Sequence, residues 1–265
     1  MKILFLFILI FHILHVNADE IYNLIKIPNL EIYKLKNDNN IRYLSAKGNF
    51  KIGANKNITC DKVDINNLNT KFPLIEKNLN RYNSNFLNKI KLKYIVFCEN
   101  LFISEINTGG IPDNKNRTLI LDINFNKKYF ERMMHHEIFH MIQNTHIEYF
   151  DDDKFSSFNL MSFNYAECST CSDRLNLDLY EKTDGFLTEY SKSIPSEDMA
   201  EIFSFLMTDK ETIEDKINSD KILNNKVNFI KLNLAKIDKN ILSKIFGIFL
   251  IIVSIRSFFE YLSIN

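Results

Sequence analysis

The chain has 265 residues and a mass of 31.3 kDa, with 46% apolar and 25% charged residues, as expected of one large globular domain or two small ones. Lys+Arg and Asp+Glu both number 33, so no charge excess argues for nucleic acid as a partner. The scarcity of Gly (6), Pro (4) and Trp (0) excludes a collagen-like, Pro-rich or Gly-linker protein.

Residues 1–18 read as a secretory signal peptide. Lys2 is followed by an almost wholly apolar run from Ile3 to Val16, and Val16-Asn17-Ala18 places small or aliphatic residues at a cleavage site. The run is shorter than the ~20 residues of a bilayer span, which favours cleavage over a membrane anchor. The expected mature chain is 19–265. Loss of Lys2 leaves 32 basic residues against 33 acidic, a formal charge of −1. A secreted or secretory-lumen location lets Cys60, Cys98, Cys168 and Cys171 pair. Of three pairings, Cys60–Cys98 with Cys168–Cys171 is favoured, because Cys168-Ser169-Thr170-Cys171 can close locally. The rival reading of that pair as half a zinc site lacks a second half nearby. Asn57-Ile58-Thr59 and Asn116-Arg117-Thr118 are glycosylation sequons.

Residues 19–68 form an expected β-rich lead-in, with alternation at Leu30 to Leu35, and 69–265 a main domain. Phe72, Leu74, Ile75, Leu79, Tyr82 and Phe86 predict a helix over 70–88. Strands are predicted at 91–97 and 118–123, with Gly109 to Asp113 as a turn cluster between them. A helix follows over 128–143, with Asn126 as its cap. Residues 145–185 read as a long functional loop. Helices are predicted over 195–207, capped by Ser193, and over 220–236. The apolar run Ile245 to Ile255 is eleven residues long and reads as a buried terminal helix. A membrane contact through 245–262 is the alternative.

His136-Glu137-Ile138-Phe139-His140 is an H-E-x-x-H motif on the predicted helix. Residues four apart share a helix face, so both imidazoles can reach one metal ion. Glu137 falls where a general base would meet a metal-activated water. His135 has no partner at ligand spacing and reads as structural. A catalytic zinc site wants a third protein ligand and one open position. His146 gives the spacing H-E-x-x-H-x-x-Q-x-x-H of metzincins, with Asn159 to Phe163, including Met161, as a counterpart of their Met-turn. The Gly that this longer motif needs is replaced by Gln143. The other candidate is Glu197, with Glu201 one turn later on the same face and Tyr190 seven residues before it.

The segment Gly185 to Met207 resembles the third-ligand helix of gluzincin peptidases of the lethal-factor type. It resembles more closely the zinc-binding metallopeptidases of bacteria and protists, with their Phe-x-x-x-Tyr-x-x-(Ser/Thr/Asn)-x-x-x-Glu-Asp-x-Ala-Glu pattern. The resemblance covers about 118–207 and is specific at 136–140 and 190–201. The 57-residue gap from His140 to Glu197 departs from short-spaced gluzincins. The resemblance implies an α+β zincin-like fold with a small mixed sheet and a C-terminal helical part. It implies one catalytic zinc ion on His136, His140 and Glu197, with Glu201 orienting a ligand histidine and Tyr190 stabilising the oxyanion. It also implies that an edge strand beside the H-E-x-x-H helix, here 118–123, pairs with an extended peptide or protein substrate. The expected activity is peptide-bond hydrolysis, and a zincin-fold binding protein without turnover is the rival.

Overall fold

The computed structural model describes residues 27–241 apart from 28, 36–38, 170, 172 and 240. The expected signal peptide and the apolar segment 245–255 lie outside the described residues. Among the described residues, no helix is long and apolar enough to cross a membrane.

The strands are β1 (Leu30–Lys34), β2 (Arg42–Ala46), β3 (Phe50–Ile52), β4 (Ile58–Asp61), β5 (Tyr94–Ile103), β6 (Ile106–Asn107), β7 (Gly110–Asp113) and β8 (Thr118–Asp122). The helices are α1 (Ile65–Leu79), α2 (Ser84–Lys89), α3 (Phe130–Thr145), α4 (Asp152–Ser156), α5 (Pro195–Thr208), α6 (Lys210–Ser219) and α7 (Lys221–Ile237). The architecture is α+β, as expected.

The ten-residue β5 is the spine of the sheet. Its first half lies parallel to β2 on one side and to β8 on the other. Its second half pairs antiparallel with β4 and β6. The buried Asp122 carboxylate sits where β5 changes partners, and accepts the N–H groups of Asn100 at 3.1 Å and Leu101 at 3.0 Å. The Cys60–Cys98 disulfide ties β4 to β5 at the same place. Thus β2 and β4 of the lead-in share one sheet with the later strands.

The strand expected at 118–123 forms, but not at the edge. All five residues of β8 are buried, and it is flanked by β5 and by β7. A strand covered on both faces reads as a continuous apolar run, which is how Leu119-Ile120-Leu121 reads. The edge strand is β7, within the segment taken for a turn. Gly and Pro signal a turn locally, but Pro is also tolerated at a sheet edge where its missing N–H faces away from the ladder.

The single helix expected over 70–88 is two. Asn83 breaks it, its side chain accepting the Phe86 N–H at 2.8 Å to start α2. Its apolar residues still face one core with Tyr43, Phe97 and the inner side of α3. Asn126 does not cap α3. Its side chain accepts the Lys128 N–H at 3.0 Å one turn early, and Tyr129 occupies the cap position. Ser193 does not cap α5 either; Ile194 does, without a side-chain bond, and the Ser193 hydroxyl donates to the Tyr190 carbonyl. α6 has only a two-residue apolar stripe to betray it in the sequence, the buried Ile213 and the partly buried Ile217 one turn later. Among the described residues, the loop expected over 145–185 forms, interrupted by α4, and a 3-10 turn at Tyr190–Lys192 follows it.

Candidate metal centre

α3 is driven inward by Met134, Ile138, Met141 and Ile142, all fully buried. That leaves Arg132, His136, Glu137 and His140 on its cleft side. α5 packs along α3, with the rings of Phe139 and Phe203 5.3 Å apart. This brings Glu197 and Glu201, one turn apart, opposite His136 and His140.

Three atoms converge. Glu197 Oε2 lies 2.8 Å from His136 Nε2 and 3.1 Å from His140 Nε2, and the two Nε2 atoms are 3.1 Å apart. Ligand atoms at about 2.0–2.1 Å from a tetrahedral zinc ion stand about 3.3 Å from one another. Two imidazole nitrogens and a carboxylate oxygen aimed at one point are the donors such an ion takes, so the residues fit it. Burial works against a proton on His136, but the hydrogen bonds to Glu197 and Glu201 outweigh it and raise its pKa to about 10. A cation entering between these atoms therefore displaces a proton. Burial also pushes Glu197 up, but the two imidazoles win and hold it well below the carboxylate range.

Behind this trio, His136 Nδ1 faces Glu201 Oε1 at 3.0 Å. Glu201 is held in turn by the Thr188 hydroxyl, which donates to Oε2 at 2.9 Å, with the Arg132 guanidinium 3.7 Å away. Sequence reasoning missed both supports. Arg132 had a signal, lying four residues before His136 on the same helix face; Thr188 had none. Glu137 is buried beside the trio, and burial raises its carboxyl to about 7 against the opposing pull of the imidazoles. Gly110 explains how an edge strand can lie so close. A Cβ there would stand 2.8 Å from Glu137 Cγ, so any side chain would displace the acid. Tyr190 lies with its ring 5.8 Å from that of His136, and burial followed by the Glu197 and Glu137 carboxylates keeps its hydroxyl protonated.

The other readings of the sequence sort cleanly. His146 caps α3, stacks on Tyr149 and stays outside the trio; Met161 is fully exposed. His135 is a core residue bonded to the Tyr82 hydroxyl at 2.6 Å and the Asn78 side chain at 3.1 Å, with its imidazole pushed down to about 3 by burial. Cys168 and Cys171 are bonded to each other, so they form no zinc half-site.

A family model described as "Putative zinc-binding metallo-peptidase" matches residues 109–243, just over half of the chain and all of the centre. The chain belongs to that family. Its fold is accordingly zincin-like, with the H-E-x-x-H helix as α3. The crystal structure of a "putative zinc-binding metallo-peptidase from Bacteroides caccae ATCC 43185" is similar at 22% identity and a TM-score of 0.48, over 74% of this chain and 80% of that one. No curated protein matches the chain.

Proposed function

We propose that the protein is a secreted, zinc-dependent peptidase with His136, His140 and Glu197 as ligands of one ion. The observation that carries this reading is the convergence of their three donor atoms within 3.1 Å beside the Glu137 carboxyl. Zinc bound there would lower the pKa of a water to about 7 and polarise the scissile carbonyl. Glu137 takes the proton from the attacking water and passes it to the leaving amine, being the buried carboxyl beside the three donor atoms that is not one of them. The Tyr190 hydroxyl donates to the oxygen that gains charge on the scissile carbonyl. Glu201 holds the His136 ring through Nδ1 and so fixes where Nε2 points.

The substrate lies along β7. The Asp122 N–H donates to the Gly109 carbonyl, so alternation turns Gly110 and Pro112 away from β8. The outward Gly110 N–H and Pro112 carbonyl then pair with an extended peptide. The cleft holds about 450 Å³. One turn before His136 its wall is apolar, with Met133, Phe125, Leu175 and Leu177; Arg132 there is engaged by the Leu177 carbonyl and Glu201. An apolar substrate side chain would bury surface against this partly exposed wall, and a charged one would find no free counter-charge in Arg132.

The proposed division is a signal peptide over 1–18, the lead-in over 19–68 and the peptidase domain over 69–265. The two disulfides accord with a secretory compartment, and glycosylation at Asn57 and Asn116 belongs to the same reading. A peptide-library digest tests the function. Cleavage should require zinc and favour Leu, Met or Phe over Asp, Glu, Lys or Arg beside the broken bond by at least about tenfold. Zinc binding without cleavage of any peptide would instead mark a binding protein of the same fold.

A further inference from the structure

Lys226 on α7 is a wholly buried lysine that the proposed chemistry does not use. An ammonium out of water is costly unless its protons are partnered. Here Nζ donates to Asp198 Oδ2 at 2.6 Å and to the Gly185 carbonyl at 2.9 Å, and stands 3.7 Å from the centre of the Phe186 ring. Asp198 is equally buried, and the Tyr165 hydroxyl donates to the same Oδ2 at 2.7 Å.

The place of Asp198 gives this node its meaning. It follows Glu197 in the first turn of α5, and successive helix residues point about 100° apart. Anchoring Asp198 to α7 on one side therefore fixes the rotation that turns Glu197 toward the histidines on the other. No side-chain cap fixes that turn, since Ile194 occupies the cap position. The node also grips the connector between α4 and α5 near both ends, at Tyr165 and at Gly185-Phe186. Between those grips, Ser169, Leu175 and Leu177 line the cleft.

We propose that Lys226 is a positioning residue of the metal centre: through its buried ion pair with Asp198 it sets the helical phase of α5, and with it the place of Glu197. The inference rests on the reading of Glu197 as a ligand. It differs from a role in stability alone, because the two can be separated. Removing one partner leaves a buried charge unpaired, whereas neutralising both removes that penalty but not the loss of orientation.

The test is the zinc affinity of the full chain, by competition with a fluorescent chelator, beside its melting temperature. Lys226→Met should lose both stability and zinc affinity. Lys226→Met with Asp198→Asn should recover most of the melting temperature, yet keep a zinc affinity about 10–100-fold below that of the unaltered protein. Affinity within twofold of the unaltered protein in that folded double variant would overturn the proposal and leave a structural ion pair. Should the double variant not fold, zinc affinity is read on Lys226→Met well below its melting temperature, beside Tyr165→Phe, which removes one bond to Asp198 but leaves the ion pair: lowered affinity in folded Lys226→Met supports the proposal, and unchanged affinity there overturns it. If the unaltered chain binds no zinc, the metal-centre reading itself fails. If Glu197→Ala loses zinc while the Lys226 and Tyr165 variants keep it, only the positioning role falls.

Discussion

Glu137→Gln should keep its zinc and lose peptide hydrolysis by about 10²–10⁴-fold, the range that a positioned general base supplies. Its carboxyl is not one of the three converging atoms, so the ligand set survives the change. Gln has nearly the same shape and can keep the close contact with Gly110, so the strand should stay in place. What it lacks is an oxygen able to hold a proton between the attacking water and the leaving amine. Since the proton transfers occur in the reaction and not in binding, the loss should fall on kcat rather than KM. Metal analysis and steady-state kinetics on the same preparation check both halves. Retained hydrolysis would remove Glu137 from the base role.

Glu197→Ala should reduce zinc affinity by more than 100-fold, beyond the 10–100-fold typical of outer supports, because only two histidines remain. It also removes the carboxylate facing both Nε2 atoms, leaving His136 held from behind by Glu201 alone. His146→Ala should leave zinc affinity within about twofold, since this imidazole stacks on Tyr149 outside the trio. Zinc content after gel filtration reads the contrast. The reverse order, with His146→Ala stripping the metal, would restore the metzincin arrangement that the H-x-x-Q-x-x-H spacing also allowed.

Much of the centre was legible because it is carried by helices. A spacing of four on a helix places two side chains on one face whatever surrounds them, so His136 with His140 and Glu197 with Glu201 could be paired from sequence. That the two pairs face each other came only with the resemblance, since nothing local sets a contact across 57 residues. The edge strand was misplaced for a related reason. Thr118 to Asp122 has the stronger β composition because it is interior and covered, while the exposed strand carries Gly-Gly and Pro and reads as a turn. The helix caps failed at Asn126 and Ser193 because both side chains found nearer backbone partners. Lys226 left one sequence signal, its place three residues after Leu223 and four before Ile230 on the buried side of its helix. A lysine on a helix reads as solvated until tertiary packing closes over it, and here Asp198, Gly185 and Phe186 do so from two other segments.

The central claim is that one zinc ion held by His136, His140 and Glu197 gives this protein its hydrolytic activity. The most direct measurement is a zinc titration of chelator-stripped protein, followed by cleavage of a Leu- and Phe-containing peptide. The account predicts no cleavage before zinc is added, a linear rise with added zinc, and a plateau at one equivalent per chain. Cleavage that is already complete in the stripped protein, or that stays absent when one equivalent is bound, would contradict it.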